Sequence, residues 1–316
     1  MSDNKNLHKA KKAKDDEFYT KFEDVEAVCA PKKQLFADKI IRCPCNDSEN
    51  SAFTRYFTRN FYEFGLKKLI CIKYKKDSIG EAGIMEPGML FPFWKKLNSD
   101  GSIFGEEVLK FIKSADYIIT NPPFSSWRQF YGLLRENHKD FLLLGGLSCI
   151  TYKSVFPDIM KNNVWQDPAF RAGRDLNFIR PDGLPETHVP VVWLSTIGAP
   201  NSRLLEGLKT KAENEAAGIK YPKYDNYDAI EVPRTACIPS DYPGVMGVPI
   251  SFLGSYCPEQ FEILGIANSA RYIGFECYTV IKGEKIYNRI LIKHKNPQKK
   301  FENYPYFLST FLFTER

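Results

Sequence analysis

Asn121-Pro122-Pro123-Phe124 brings together residue types that could act on an amino group attached to a flat ring. Such an amine is a poor nucleophile, because its lone pair is delocalised into the ring. Two acceptors, the Asn121 side-chain oxygen and the Pro122 backbone carbonyl, could take both amino hydrogens and hold the lone pair towards an incoming methyl group. Phe124 would stack on the ring face. Methylation acidifies the nitrogen, so no strong base is needed. Pro122 and Pro123 fix φ and remove competing N–H donors, which shapes the turn in advance. The plainer alternative is that Asn-Pro-Pro ends a strand and Phe124 belongs to the core.

The elements around the turn must put it where a ligand can reach. Tyr117, Ile118 and Ile119 are compact β-formers after Asp116, and two prolines stop the strand at Asn121. Asn121 therefore sits at the carboxyl end of a strand, the edge where open α/β sheets bind ligands. Upstream, Lys39 to Cys43 reads as a first strand, followed by the loop Pro44 to Asn50 and a helix from Ser51. That helix carries Phe53, Tyr56, Phe57, Phe61 and Phe64 at helical spacing, a core stripe. Ahead of it, Phe22, Val25 and Val28 mark an earlier helix with Thr20 as its cap. Strand-loop-helix units of this kind hold nucleotide cofactors, usually with glycines that let the backbone approach; this loop has none. The next strand, Lys68 to Tyr74, ends in lysines, where an acidic residue commonly holds a ribose. Cys43 and Cys45 lack further paired ligands, so no metal site is expected. Trp127 to Leu134 (helix), Phe141 to Leu144 (strand), Ser154 to Lys161 (helix) and Val189 to Leu194 (strand) continue a βαβ-like alternation. A Lys/Glu-rich helix is expected over Leu204 to Gly218. Beyond the Tyr- and Asp-rich segment Tyr221 to Tyr227, short strands follow, Tyr278 to Ile281 and Lys285 to Ile292, joined through Gly283.

Five segments occur in order: Asp16-Glu17-Phe18-Tyr19-Thr20, Cys43-Pro44-Cys45, Asn121-Pro122-Pro123-Phe124-Ser125, Ile150-Thr151-Tyr152-Lys153 and Gly244-Val245-Met246-Gly247-Val248-Pro249-Ile250. Together they resemble the EcoRI-type adenine-specific DNA methyltransferase family, over about Asp16 to Lys295. The resemblance implies an α/β class I fold, Rossmann-like with a mostly parallel sheet, dependent on S-adenosylmethionine, with a smaller β-rich recognition region at the carboxyl end. It implies that Phe18, Tyr19 and Thr20 contact the methionine part of the cofactor. It also implies that Cys43, Pro44, Cys45 and Asp47 replace the glycine loop, and that Asp100 accepts the cofactor's adenine amino group. Ser99 and Ser102 depart from the family's Gly-Asp-Gly-Asp pattern, and an Asp-Gly turn is the structural alternative for Asp100. The implied reaction is methylation of the exocyclic nitrogen of an adenine flipped out of double-stranded DNA, in a restriction-modification, phage or mobile-element system. Two alternatives stand beside it. One is methylation of protein glutamine, by enzymes that use Asn-Pro-Pro-Tyr; Phe124 and the basic carboxyl-terminal part favour a nucleobase. The other is a DNA-binding protein that kept the fold and lost catalysis.

The 316 residues, 43% of them hydrophobic, suffice for one large α/β domain and a smaller unit. The expected division is a disordered basic arm over 1–15, a methyltransferase domain over 16–220 and a recognition region over 221–316. No apolar run reaches the roughly 18 residues of a membrane helix, and no signal-peptide pattern follows the Lys-rich start. A cytoplasmic monomer with no obligatory protein partner is expected. Its eight cysteines are read as reduced thiols. A net charge of +6 permits a polyanionic partner without demanding one. Lys282, Lys285, Arg289, Lys293, Lys295, Lys299 and Lys300 gather in the last part, either as a solvated face or as a DNA-facing one.

Overall fold

In a computed structural model, residues 20–45, 47–168, 175–178, 187–267, 278–286 and 288–297 are described. The arm over 1–15, Phe18, Tyr19, Lys299 and Lys300 lie outside them.

Helix α1 (Phe22–Cys29) runs into a 3-10 segment, Ala30–Phe36, and leads to strand β1 (Ile40–Cys43) and helix α2 (Ala52–Arg59). Next come β2 (Lys68–Lys73), β3 (Glu81–Met85), β4 (Phe93–Lys96), helix α3 (Glu106–Lys113), β5 (Tyr117–Thr120), helix α4 (Trp127–Glu136) and β6 (Asp140–Gly146). Helix α5 (Phe156–Met160), β7 (Trp165–Gln166), β8 (Asp175–Phe178) and β9 (Thr187–Ser195) complete one sheet. Its order is β4-β3-β2-β1-β5-β6-β9-β7, with β8 paired to β9.

The sheet is mixed, with fewer of its strand pairs parallel than expected. Parallel pairing is confined to β2-β1-β5-β6, while every pair that involves β3, β4, β7, β8 or β9 is antiparallel. The segments between β2 and β3 and between β3 and β4 are shorter than the about a dozen residues a parallel crossover needs, so the chain folds back as hairpins. At the tip of the second hairpin the Tyr62 hydroxyl donates to the Met89 carbonyl at 2.7 Å and accepts from the Gly88 N–H at 3.0 Å. Leu90, Phe91 and Phe93 of this hairpin are exposed.

Alternate residues of the central strands enter two cores, one on each face. Ile41, Leu69, Cys71, Ile119, Leu142 and Trp193 meet α1 and α2, where Val25, Val28, Phe53, Tyr56 and Phe57 are buried, as the aromatic stripe of α2 requires. Ile70, Ile118, Phe141, Leu143, Val192 and Leu194 meet α3 and α4 through Val108, Ile112, Phe130 and Leu134. That second core continues without interruption into a four-stranded sheet of order β10-β11-β15-β12. Its strands are β10 (Ala229–Glu231), β11 (Val245–Pro249), β12 (Phe261–Ala267) and β15 (Arg289–His294). A separate hairpin is formed by β13 (Thr279–Ile281) and β14 (Glu284–Ile286).

Three local expectations change. Between β9 and β10, helix α6 covers only Lys211–Ala216, because Gly207 takes φ 72°, outside the right-handed helix, and the capping box of Thr210 and Glu213 starts the helix later. The strand expected over Lys285 to Ile292 is two: Asn288 takes φ 52°, and the chain moves from the hairpin to β15. The cap position of helix α1 is Lys21, which makes no side-chain cap hydrogen bond, so Thr20 does not cap it. No described helix is long and apolar enough to cross a membrane, and the seven described cysteines are free thiols.

Candidate active site

The carboxyl ends of β1, β2 and β5 open onto a cleft of about 1570 Å³. Asn121, Pro122 and Pro123 form one wall, the β1–α2 loop and the first turns of α2 another, and Lys73, Tyr74 and Trp94 a third. β5 is fixed at its start by Asp116, whose backbone N–H donates to the Ile40 carbonyl at 3.0 Å and whose carboxylate accepts from the Ile40 N–H at 2.7 Å. It is fixed at its end by the following helix. The Ser126 N–H and hydroxyl both donate to the Pro123 carbonyl, at 3.1 and 3.2 Å. The Trp127 indole donates to the Leu144 carbonyl on β6 at 2.8 Å. That indole lies so close to β6 that a side chain at Gly145 would collide with it, so glycine is required there. Among the described residues no donor takes the Pro122 carbonyl.

Asn121 is oriented from the other end of the chain. Its side-chain Nδ2 donates to the Thr20 hydroxyl oxygen at 3.3 Å, which assigns Oδ1 as the acceptor atom of the amide. Thr20, read from sequence as a cofactor contact and a cap, thus lines the cleft and touches the turn. Nothing local in the sequence announces a partner 101 residues away.

Asp47 is 3% exposed and works as a brace. Its carboxylate accepts from the Cys45 N–H at 3.2 Å, the Ser51 hydroxyl at 3.2 Å and the Thr120 hydroxyl at 2.8 Å. Its backbone carbonyl takes the Thr54 hydroxyl at 3.0 Å, and Ser51 caps α2 by accepting from the Thr54 N–H at 3.1 Å. The loop without glycine is therefore held by side chains. One carboxylate ties it to the residue just before Asn121.

Cys45, Asp47, Thr20, Asn121, Pro122 and Pro123 all line the cleft. Four others are placed elsewhere. The Cys43 side chain is wholly buried beside Cys71, and burial pushes its thiol well above the usual range. Pro44 is buried next to it. Asp100 accepts from the Ser102 N–H at 2.9 Å in its own turn and does not line the cleft. Phe124 is half-buried and packs against the core beneath α1 and α2.

Among the lining residues that the sequence did not point to are Lys21, Glu49 and Trp94. Lys21 follows Thr20 directly, and Glu49 sits two residues after Asp47, so position alone could have signalled both. Trp94 depends on the β3–β4 hairpin. The cleft thus offers a cation, a hydroxyl, carboxylates and aromatic faces, a set suited to a ligand that joins an amino-acid zwitterion to a nucleoside.

A family profile described as adenine-specific methyltransferase EcoRI matches residues 6–89 and 84–307. Type II methyltransferase M.EcoRI of Escherichia coli is 35% identical, over 94% of this chain and 98% of its own length. Type II methyltransferase M.MpnI of Mycoplasma pneumoniae is 32% identical, over 92% of this chain and 98% of its own. Type II methyltransferase M.MgeORF184P of Mycoplasma genitalium is 32% identical, over 82% and 85%. No solved structure matches the chain.

Proposed function

The chain belongs to the EcoRI-type adenine-specific methyltransferase family, and from that premise we propose that it methylates the exocyclic amino nitrogen of an adenine flipped out of double-stranded DNA. The observation that carries this reading is the pair of acceptors at the turn, the Asn121 Oδ1 and the Pro122 carbonyl, beside a cleft of nucleoside-binding character. S-adenosylmethionine, when bound, supplies an electrophilic methyl group. Lys21, Thr20 and Glu49 are the residues in the cleft suited to its carboxylate, ammonium and hydroxyl groups, with Trp94 and Tyr74 offering ring faces.

The two acceptors take the amino hydrogens of the target base and gain strength as positive charge develops on nitrogen. The methylated nitrogen then releases its proton to solvent, with no dedicated base. In this reading Phe124, half-buried at the end of the turn, stacks on the extruded ring. Flipping costs a few kcal/mol, which stacking on Phe124 offsets in part.

Residues 221–316 act in this reading as the target-recognition region on a class I methyltransferase core. Its exposed Lys282, Lys285, Lys293 and Lys295 are the phosphate contacts. Arg289 is not one of them, because it is committed to Glu231. The protein acts as a cytoplasmic monomer in a restriction-modification, phage or mobile-element system. The test is to map modified bases in DNA from cells that express the protein. N6-methyladenine at one short sequence is expected; methylated cytosine, methylated protein glutamine or unmodified DNA overturns the reading.

A further inference from the structure

Open α/β sheets that bind nucleosides commonly place an acidic residue at the carboxyl end of the second strand, where it accepts from the ribose hydroxyls. This chain has Lys73 there, followed by Tyr74, Lys75 and Lys76. Lys73 does not leave the place cationic. Its ammonium donates to both carboxylate oxygens of Glu49, at 3.1 and 3.2 Å. Glu81, also near Lys73 at 3.8 Å, has its own closer cation in Lys75 at 2.8 Å. Glu49 comes from the β1–α2 loop, lines the cleft, and has a side chain that is 49% exposed. A carboxylate has about four acceptor positions, so the contact with Lys73 leaves room for further donors. Its own backbone N–H and the Lys73 ammonium hold the carboxyl below its ordinary range, so it is charged at neutral pH.

We propose that Glu49 holds the ribose hydroxyls of the methyl donor, brought from the first loop to the end of the second strand by Lys73. The inference rests on the reading of the cleft as the donor site. It replaces the missing acidic residue with one from a different element, and it turns a lysine that looks hostile to the ribose into the residue that positions its acceptor.

The test is calorimetric titration with S-adenosylhomocysteine and its 2′-deoxy counterpart, on wild type, Glu49→Gln, Glu49→Ala and Lys73→Met. Wild type should prefer the ribose form about tenfold or more, the scale of a hydrogen bond to a charged group. Glu49→Ala should bind the ribose form roughly tenfold more weakly and lose the preference, with Lys73→Met between the two. Glu49 is half exposed, so the fold should persist; should the alanine variant fail to fold, Glu49→Gln gives the same comparison. Undiminished discrimination by folded Glu49 variants overturns the inference and leaves the cleft reading intact. Binding of neither ligand by wild type, with and without DNA, overturns the cleft reading and the inference together.

Discussion

The two sheets use buried polar groups in opposite ways. At the edge of the large sheet, Asp47 and Thr120 join segments 73 residues apart, and Asn121 and Thr20 join segments 101 apart. Both links border an open cleft. In the four-stranded sheet, Glu231 and Arg289 join segments 58 residues apart, with two guanidinium nitrogens on the Glu231 carboxylate at 2.7 to 3.0 Å. The Tyr224 hydroxyl donates to the same carboxylate, and burial first, then Glu231, pushes its phenol far above the ordinary range. There the polar atoms satisfy one another inside the protein. The difference separates groups that hold strands together inside the protein from groups that shape the edge of a cleft.

The hardest test of that contrast is Asn121→Ala. Methyl transfer to DNA should fall by about a hundredfold or more, the usual consequence of removing one preorganised polar group at a reacting centre. Cofactor affinity, read by calorimetry, should stay nearly unchanged. Full turnover would remove Asn121 from the chemistry. Arg289→Ala should act on stability instead, by about 2–3 kcal/mol in a urea titration, somewhat below the value for a fully enclosed pair because the arginine side chain is 19% exposed. The folded variant should bind cofactor as wild type does. Thr120→Val keeps the shape and removes one donor from Asp47, for a smaller loss of about 1–2 kcal/mol. Because this brace borders the turn, the rate of transfer should fall as well. A loss of stability alone, with rate and cofactor affinity intact, would place Asp47 with Glu231 and dissolve the contrast.

The strand and turn from Tyr117 to Pro123 and the burial of Phe53, Tyr56 and Phe57 on α2 were legible in sequence, because each depends on residue types and spacing within one segment; Phe61 and Phe64 are buried too, but beyond the end of the helix at Arg59. Thr20 lines the cleft and was misread as a cap, since its partner Asn121 is fixed by tertiary folding. Asp47 stood out through the resemblance, while its role as a brace depends on Thr120 across the sheet. The antiparallel flanks were missed even though short connections announce them. Gly207 likewise lay in plain view inside the expected helix. The shared core of the two sheets has no local signal, because Ile230, Met246 and Ile292 look alike whether they face a private core or a common one.

The β3–β4 hairpin has a consequence for the protein in concentrated solution. β4 is an outermost strand of the large sheet, and an unpaired strand edge is a template on which another chain can add. Exposed Phe93 and the neighbouring Leu90 and Phe91 would make that addition favourable. Pro92 just before the strand has no N–H to offer, and Lys95 and Lys96 place two exposed positive charges on its four residues. Two copies that approach edge to edge therefore meet like charges before they can pair, a brake on self-association supplied by one proline and two lysines.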